Sequence, residues 1–226
     1  MDRRIILASA SPRRREVFEL LWVPFIVHTV PVDEAPRPGE APGVLVARLS
    51  AAKAAAVAQD LRVSSQGWIE ELAAALEHSL VIAADTVVAL DGRILGKPRD
   101  AAHAQDMLLD LCGRAHSVYS GITVVETGSK RAAIHLSVTQ VWMRDYSQAE
   151  IETYVATGDP LDKAGAYAIQ HASFRPVTRI EGCFAVVMGL PLGALADGLA
   201  HFDTCLPVDI PTICRRWTGH LCCRRV

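Results

Sequence analysis

Eight side chains able to hold a polyanion or its counter-ion stand in this sequence at expected strand ends, helix starts and glycine-flanked loops, where α/β proteins place their ligand sites. Five are basic, Arg13, Arg14, Lys53, Lys97 and Lys163, and three are acidic, Glu34, Asp85 and Asp162. Basic groups match phosphate and carboxylates match a divalent cation, and phosphoanhydride cleavage requires both. Asp85 is the most informative. It interrupts the apolar run VIAADTVVA, whose β-branched neighbours predict burial on at least one face, and a lone carboxylate there is costly unless a cation meets it. Two readings stand open: a strand-end carboxylate bonded to a loop amide, or a metal ligand or general base on the floor of a cleft. Lys97 lies between Gly96 and Pro98, which present its amine from a stiff turn. Asp162 and Lys163 are adjacent in the glycine-flanked GDPLDKAGAY, where an exposed ion pair would be worth little. Glu34 in a proline-rich loop and Lys53 on an alanine-rich stretch each also suit an ordinary solvated surface.

The stretch LASASPRRREVFELL, residues 7–21, sharpens the argument. Ser11 suits an N-cap and Pro12 the first helical position. Three arginines then fill the first turn, the wrong sign for a helix N-terminus, where anions are favoured by about 0.3–1 kcal/mol per charge. A polyphosphate bound there would turn the unfavourable placement into favourable pairing, with amides and guanidiniums aimed at it.

These residues must be positioned by alternating strands and helices, which predicts an α/β class. A buried strand is expected over 4–8, a helix over 12–21, a strand over 25–30, a proline-rich loop over 31–43 and a helix from 44 to about 61. SSQG at 64–67 breaks that helix and WIEELAAALEH predicts another; residues 64–78 read as an insertion. Residues 80–96 read as a hairpin turning at Asp91-Gly92. AAHAQDMLLDLCG predicts a helix stopped by Gly113. Two long strands, HSVYSGITVVET and AAIHLSVTQVWMRDY, are joined by GSK. Ser147 and Glu150 have capping-box spacing at the start of the next helix. A strand pair near 174–188 and a helix from about Pro191 to Phe202 complete a domain over 1–202, with two lobes around a cleft and an irregular tail over 203–226.

Half of the 226 residues are hydrophobic and 21% are charged, enough to bury a substantial core. With 23 basic and 25 acidic residues there is no global field to attract nucleic acid or an anionic membrane. Cys205, Cys214, Cys222 and Cys223 crowd the end of the chain while Cys112 and Cys183 stand alone, a distribution that suits free thiols in a reducing compartment. The apolar stretch near the N-terminus is too short for a signal peptide, and that at 183–200 is broken by Pro191, Asp197 and glycines, so a cytoplasmic protein is expected.

In chain order, LASASPRR, VDE at 32–34, RLSAAKA at 48–54, AADTVV at 83–88, GKP at 96–98, HSVYSGI at 116–122, DKAGAYAIQ at 162–170 and VVMGLPL at 186–192 resemble the Maf family of nucleotide pyrophosphatases. The resemblance implies an elongated mixed β-sheet flanked by helices around a deep cleft, similar to inosine triphosphate pyrophosphatases. It implies hydrolysis of a nucleoside triphosphate to monophosphate and pyrophosphate with a divalent metal cation, Mg²⁺ or Mn²⁺. Asp85, Lys53 and Lys97 would be catalytic, Ser9, Arg13, Arg14, Thr86, Asp162, Lys163 and Gln170 would bind substrate, and Glu34 and Asp85 would hold the metal. Arg13, Thr86 and Gln170 match the members that act on dTTP and UTP, whereas those acting on 7-methyl-GTP tend to carry Trp, Gln and Glu. A neutral amide and a hydroxyl can serve the edge of thymine or uracil, while a methylated cationic guanine favours a carboxylate and an aromatic stack. Family members are often dimers, so a homodimer is left open. The rival readings are a nucleic-acid-binding or septum-related regulatory protein without turnover, and a catalytically silent binding module.

Overall fold

The computed structural model describes residues 3–64, 78–129, 131–220 and 222–223. Their elements run β1 (Ile5–Leu7), α1 (Pro12–Glu19), β2 (Phe25–Val27), α2 (Pro42–Ser64), β3 (Leu80–Leu90), β4 (Arg93–Leu95), α3 (Ala101–Leu111), β5 (Ala115–Glu126), β6 (Ala132–Met143), α4 (Gln148–Ala156), β7 (Val177–Glu181), α5 (Phe184–Val187), α6 (Leu192–Ala200) and α7 (Ile210–Thr218). The sheet is seven-stranded and mixed. Its order is β2-β1-β3-β5-β6-β7, with β4 beside β3. β1 runs parallel to β2 and β3, and the other pairings are antiparallel.

One feature of this topology makes the cleft. β5 covers one edge of β3 from Leu80 to Ala89. The other edge is shared: β1 ends where Leu7 faces Ile82, and β4 ends where Leu95 faces Val88. Between Ile82 and Val88 that edge of β3 has no neighbouring strand among the described residues, so Asp85 and Thr86 lie in a gap at the carboxyl end of β1, where open α/β sheets bind ligands.

The alternation of β3 splits the cores. Leu80, Ile82 and Ala84 pack with Val17, Phe18, Leu195 and Leu199, and Val88 and Leu90 pack with Leu108 and Tyr154. On the opposite face Val81 and Ala83 meet Ala54, Val57 and Ala58 of α2. Because successive side chains point to opposite faces, Asp85 faces α2 and Thr86 faces away from it. α2 lies very close to β5 at Gly121, where a Cβ atom would come within 2.6 Å of the Val46 carbonyl oxygen.

Local signals explain several element ends. Asp91 and Gly92 both take the left-handed region, φ 50° and 80°, as a two-residue hairpin turn requires. Asp100 caps α3 by accepting from the His103 amide, and the capping box of Ser147 and Glu150 opens α4. The strand pair expected near 174–188 is only one strand, β7. Gly182 at φ 126° turns the chain, and the Thr139 side chain takes both the amide and the carbonyl of Cys183, so pairing with β6 ends at Glu181. The expected irregular tail also needs correction: Asp209 caps α7, which buries Ile210 and Cys214, one helical turn apart, against the core. The helix expected over WIEELAAALEH lies outside the described residues but for its last one. Among the described residues no helix is long and apolar enough to cross a membrane.

His116 on β5 is buried and shares a 2.8 Å hydrogen bond with the Tyr167 hydroxyl, while its Nδ1 has no partner among the described residues. Burial pushes its pKa down to about 4 from 6.5. Below pH 6.5 the unfolded chain therefore takes up a proton that the folded one refuses, and stability falls as pH drops from about 6.5 to about 4, by up to about 3 kcal/mol. Denaturant titrations across that window should show this loss in the wild type. In His116→Gln, which cannot titrate, the slope should be shallower, and an equal slope would show that His116 does not cause it.

Candidate active site

The gap beside β3 opens into a cleft of about 830 Å³. Asp85 is buried on its floor, and Lys53, two helical turns beyond Val46 on α2, reaches down to it: Nζ lies 2.6 Å from Asp85 Oδ1 and 3.0 Å from Glu34 Oε1. One ammonium thus bridges two carboxylates from distant parts of the chain. Glu34 is brought in by the loop after β2, which Arg48 fastens. Its guanidinium donates to both Glu40 carboxylate oxygens at 2.7 Å and to the Ala35 carbonyl at 3.1 Å, and this pairing holds the Glu40 carboxyl down at about 2.

The opposite wall is built on Arg14. Its Nε donates to the Gly189 carbonyl at 2.9 Å, Nη2 to Thr86 Oγ1 at 3.2 Å and Nη1 to Ser9 Oγ at 3.4 Å. Thr86 continues the network to Ser120 at 2.8 Å, which donates to the Val186 carbonyl at 2.8 Å. Burial lowers the Arg14 pKa, against the attraction of the Asp85 carboxylate. Arg14 is therefore a cation oriented by neutral oxygens, with no carboxylate bonded to it among the described residues.

The first helix turn accounts for two of its three arginines, Arg13 and Arg14, which line the cleft, while Arg15 is exposed outside it. Ser11 sits at the N-cap, yet its side chain makes no capping bond; instead its amide donates to Ser9 Oγ at 3.3 Å. Ser9, Ser11, Arg13 and Arg14 all line the cleft, so the start of α1 faces it. Arg13 reaches across to the Asp162 carbonyl at 3.4 Å, and Lys97 lines the cleft after β4, exposed and without an ion pair among the described residues.

Of the residues singled out from sequence, Ser9, Arg13, Arg14, Glu34, Lys53, Asp85, Thr86, Lys97, Asp162 and Gln170 all line this cleft. Lys163 does not. Its ammonium is buried, donating to the Asp159 carbonyl at 2.6 Å, Asp159 Oδ1 at 2.9 Å and Asp162 Oδ1 at 2.7 Å, so it holds the turn over 159–163 together. Ser120, Gly189 and the Arg48–Glu40 clamp were not foreseen. The HSVYSGI and VVMGLPL motifs contain the first two, but their role depends on cross-strand register, Thr86 facing Ser120, and on a backbone carbonyl.

Oxygen donors suited to a hard divalent cation are present. Glu34 and Asp85 are both within 3.0 Å of one Lys53 nitrogen, and Mg²⁺ is commonly bound by one or two carboxylates with substrate phosphates and water completing its shell. Among the described residues no group of three or more histidine, cysteine or carboxylate side chains could hold a metal ion.

Cations and carboxylates gathered at the carboxyl end of a parallel strand pair, beside a helix N-terminus left uncapped by its serine, define an α/β protein built to handle phosphates. The chain belongs to the Maf family, whose model, described as Maf-like protein, matches residues 4–202. It is 43% identical over 200 residues to a dTTP/UTP pyrophosphatase of Pelotomaculum thermopropionicum, covering 88% of this chain and 97% of the relative. Proteins of the same name from Salinibacter ruber, 45% identical over 192 residues (84% of this chain, 87% of the relative), and from Nitratidesulfovibrio vulgaris, 47% over 193 residues (84% of each), are similar to it as well. The family resemblance and the mixed α/β fold expected from the sequence are both borne out.

Proposed function

We propose that this chain hydrolyses dTTP and UTP between the α and β phosphorus atoms, giving the monophosphate and pyrophosphate. The observation that carries the reading is the Lys53 ammonium held between Glu34 and Asp85 on the floor of a cleft rimmed by Arg13, Arg14 and Lys97. The phosphate chain lies against these three cations and the first-turn amides of α1. Asp85 Oδ1 is engaged by Lys53, leaving Oδ2 to orient the attacking water and accept its proton. Lys53 offsets the charge of both carboxylates, so that a polyanion can approach them, and pairs with the negative charge that grows on the phosphoryl oxygens. A divalent cation held by Glu34 and Asp85 would supply Lewis-acid polarisation of those oxygens and neutralise the leaving pyrophosphate. Thr86, fixed by Ser120, keeps Arg14 aimed into the cleft. Gln170, exposed at the rim, reads the pyrimidine edge. The proposal includes a cytoplasmic location, where dTTP and UTP serve nucleic-acid synthesis.

The reading is tested by incubating the protein with Mg²⁺ or Mn²⁺ and each nucleoside triphosphate, then identifying products. Monophosphate and pyrophosphate from dTTP and UTP are expected, with purine triphosphates turned over at least about tenfold more slowly. Gln170→Glu should lower kcat/KM for dTTP and UTP by about 10–100-fold, because a carboxylate cannot donate to a carbonyl oxygen of the base. Orthophosphate release, or selectivity unchanged by the substitution, would contradict it.

A further inference from the structure

Gln170 is the third residue of a tight turn. The His171 amide donates to the Ala168 carbonyl at 3.2 Å, so residues 168–171 close a β-turn with Ile169 and Gln170 at its centre. Ile169 packs into the core, which leaves Gln170 exposed at the rim of the cleft. Both ends of the turn rest on one side chain. Tyr154, on α4, is buried and is not among the residues that line the cleft. Its hydroxyl accepts from the Ala168 amide at 2.9 Å, and its ring lies edge-on to the His171 ring with centroids 4.6 Å apart.

This clamp is itself held from three sides. The Tyr154 hydroxyl donates to Asp159 Oδ2 at 2.6 Å, the other Asp159 oxygen accepts from the Lys163 ammonium at 2.9 Å, and the Tyr154 ring stacks on Phe174 at 4.3 Å. Phe174 in turn donates its amide to His171 Nδ1 at 3.0 Å. Burial and the Asp159 carboxylate push the Tyr154 pKa up, so the phenol keeps the proton it donates. Lys163 also meets Asp162 Oδ1 at 2.7 Å, and the Asp162 carbonyl accepts from Arg13 at 3.4 Å. One polar chain therefore runs from a cation of the phosphate end to the turn that carries Gln170.

We propose that Tyr154 is a positioning residue that sets nucleotide selectivity: it holds the 168–171 turn so that the Gln170 amide meets the pyrimidine edge, a role that rests on Gln170 reading the base. An exposed glutamine has little packing to fix its side-chain torsions, so its aim depends on the backbone that carries it. Hydrogen-bond readout is lost when that backbone shifts, because donor and acceptor must stay within about 2.7–3.2 Å. Without the hydroxyl, the buried Ala168 amide loses its acceptor and the turn moves to find another.

The test compares Tyr154→Phe, Gln170→Ala and the double variant on dTTP and GTP with Mg²⁺. Tyr154→Phe is expected to lower the ratio of kcat/KM for dTTP to that for GTP by about tenfold, through KM for dTTP, with kcat within about threefold and Tm lower by about 5 °C. A side chain that only stabilised the fold would lower Tm and leave the ratio alone. Gln170→Ala should lower the ratio at least as much, and adding Tyr154→Phe to it should lower it no further, because both act through one contact. His171→Ala removes the other end of the clamp at a half-buried position and should lower the ratio by about threefold; it decides the matter if Tyr154→Phe does not fold. An unchanged ratio in Tyr154→Phe or His171→Ala, or a further loss in the double variant, would overturn this role and leave base reading by Gln170 standing. A ratio unchanged in Gln170→Ala would overturn that reading, and the role of Tyr154 with it.

Discussion

Asp85→Asn is expected to lower kcat for dTTP and UTP by about 10³-fold, with Tm falling by no more than about 5 °C. The two readouts separate because asparagine keeps the size of the side chain and its Oδ1 can still accept from Lys53. The ammonium also keeps Glu34, 3.0 Å away, so no buried charge is left alone, the circumstance that makes broken buried pairs costly. What the variant loses is an anionic oxygen able to take a proton from water or to hold a cation. Substrate binding should change much less, since Arg13, Arg14 and Lys97 are untouched, and KM is expected to stay within about threefold. Steady-state kinetics with thermal unfolding of the same preparation checks this, and turnover within tenfold of wild type would remove Asp85 from the reaction.

Gly121→Ala should be nearly as damaging from a position that never touches substrate. Gly121 faces Asp85 across the β3–β5 ladder, and its missing side chain lets α2 lie against the sheet. An added Cβ would sit 2.6 Å from the Val46 carbonyl oxygen and 3.1 Å from the Ala47 nitrogen. Both are backbone atoms of a helix, so the helix as a whole must retreat, carrying Lys53 away from Asp85. Overpacking of this kind costs about 1–3 kcal/mol, and displacing a catalytic group by an ångström can cost about 10²-fold in rate. Gly96→Ala is the matching control for stability, because nothing lies within 4 Å of its added carbon. Equal stability and kcat in Gly121→Ala and wild type would show that the contact does not position the site.

The sequence made Asp85 legible because a carboxylate in an unbroken apolar strand demands a partner, and Lys53 is that partner. It made the arginines of α1 legible through their conflict with the helix dipole. Lys163 misled because adjacent Asp and Lys residues in a glycine-flanked turn suggest exposure, whereas Asp159, four residues earlier, closes over the ammonium from within the same turn. Ser120 and Gly189 were invisible for a different reason: one acts through strand register and the other through its carbonyl, neither encoded by residue type. The α7 helix was missed because its short apolar face, Ile210 and Cys214, is embedded among arginines and cysteines that read as a loose tail.

The central claim is that cations from α1 and the turn after β4 meet the carboxylates beside β3 around a single triphosphate. The most direct measurement is a crystal structure with Mg²⁺ and a dUTP or UTP analogue whose α–β bridging oxygen is replaced by a methylene or imido group. The α phosphorus is expected beside Asp85 and Lys53, with the outer phosphates against Arg13, Arg14, Lys97 and the start of α1. An analogue seated elsewhere, or with its phosphates pointing away from the gap between β1 and β4, would contradict the account.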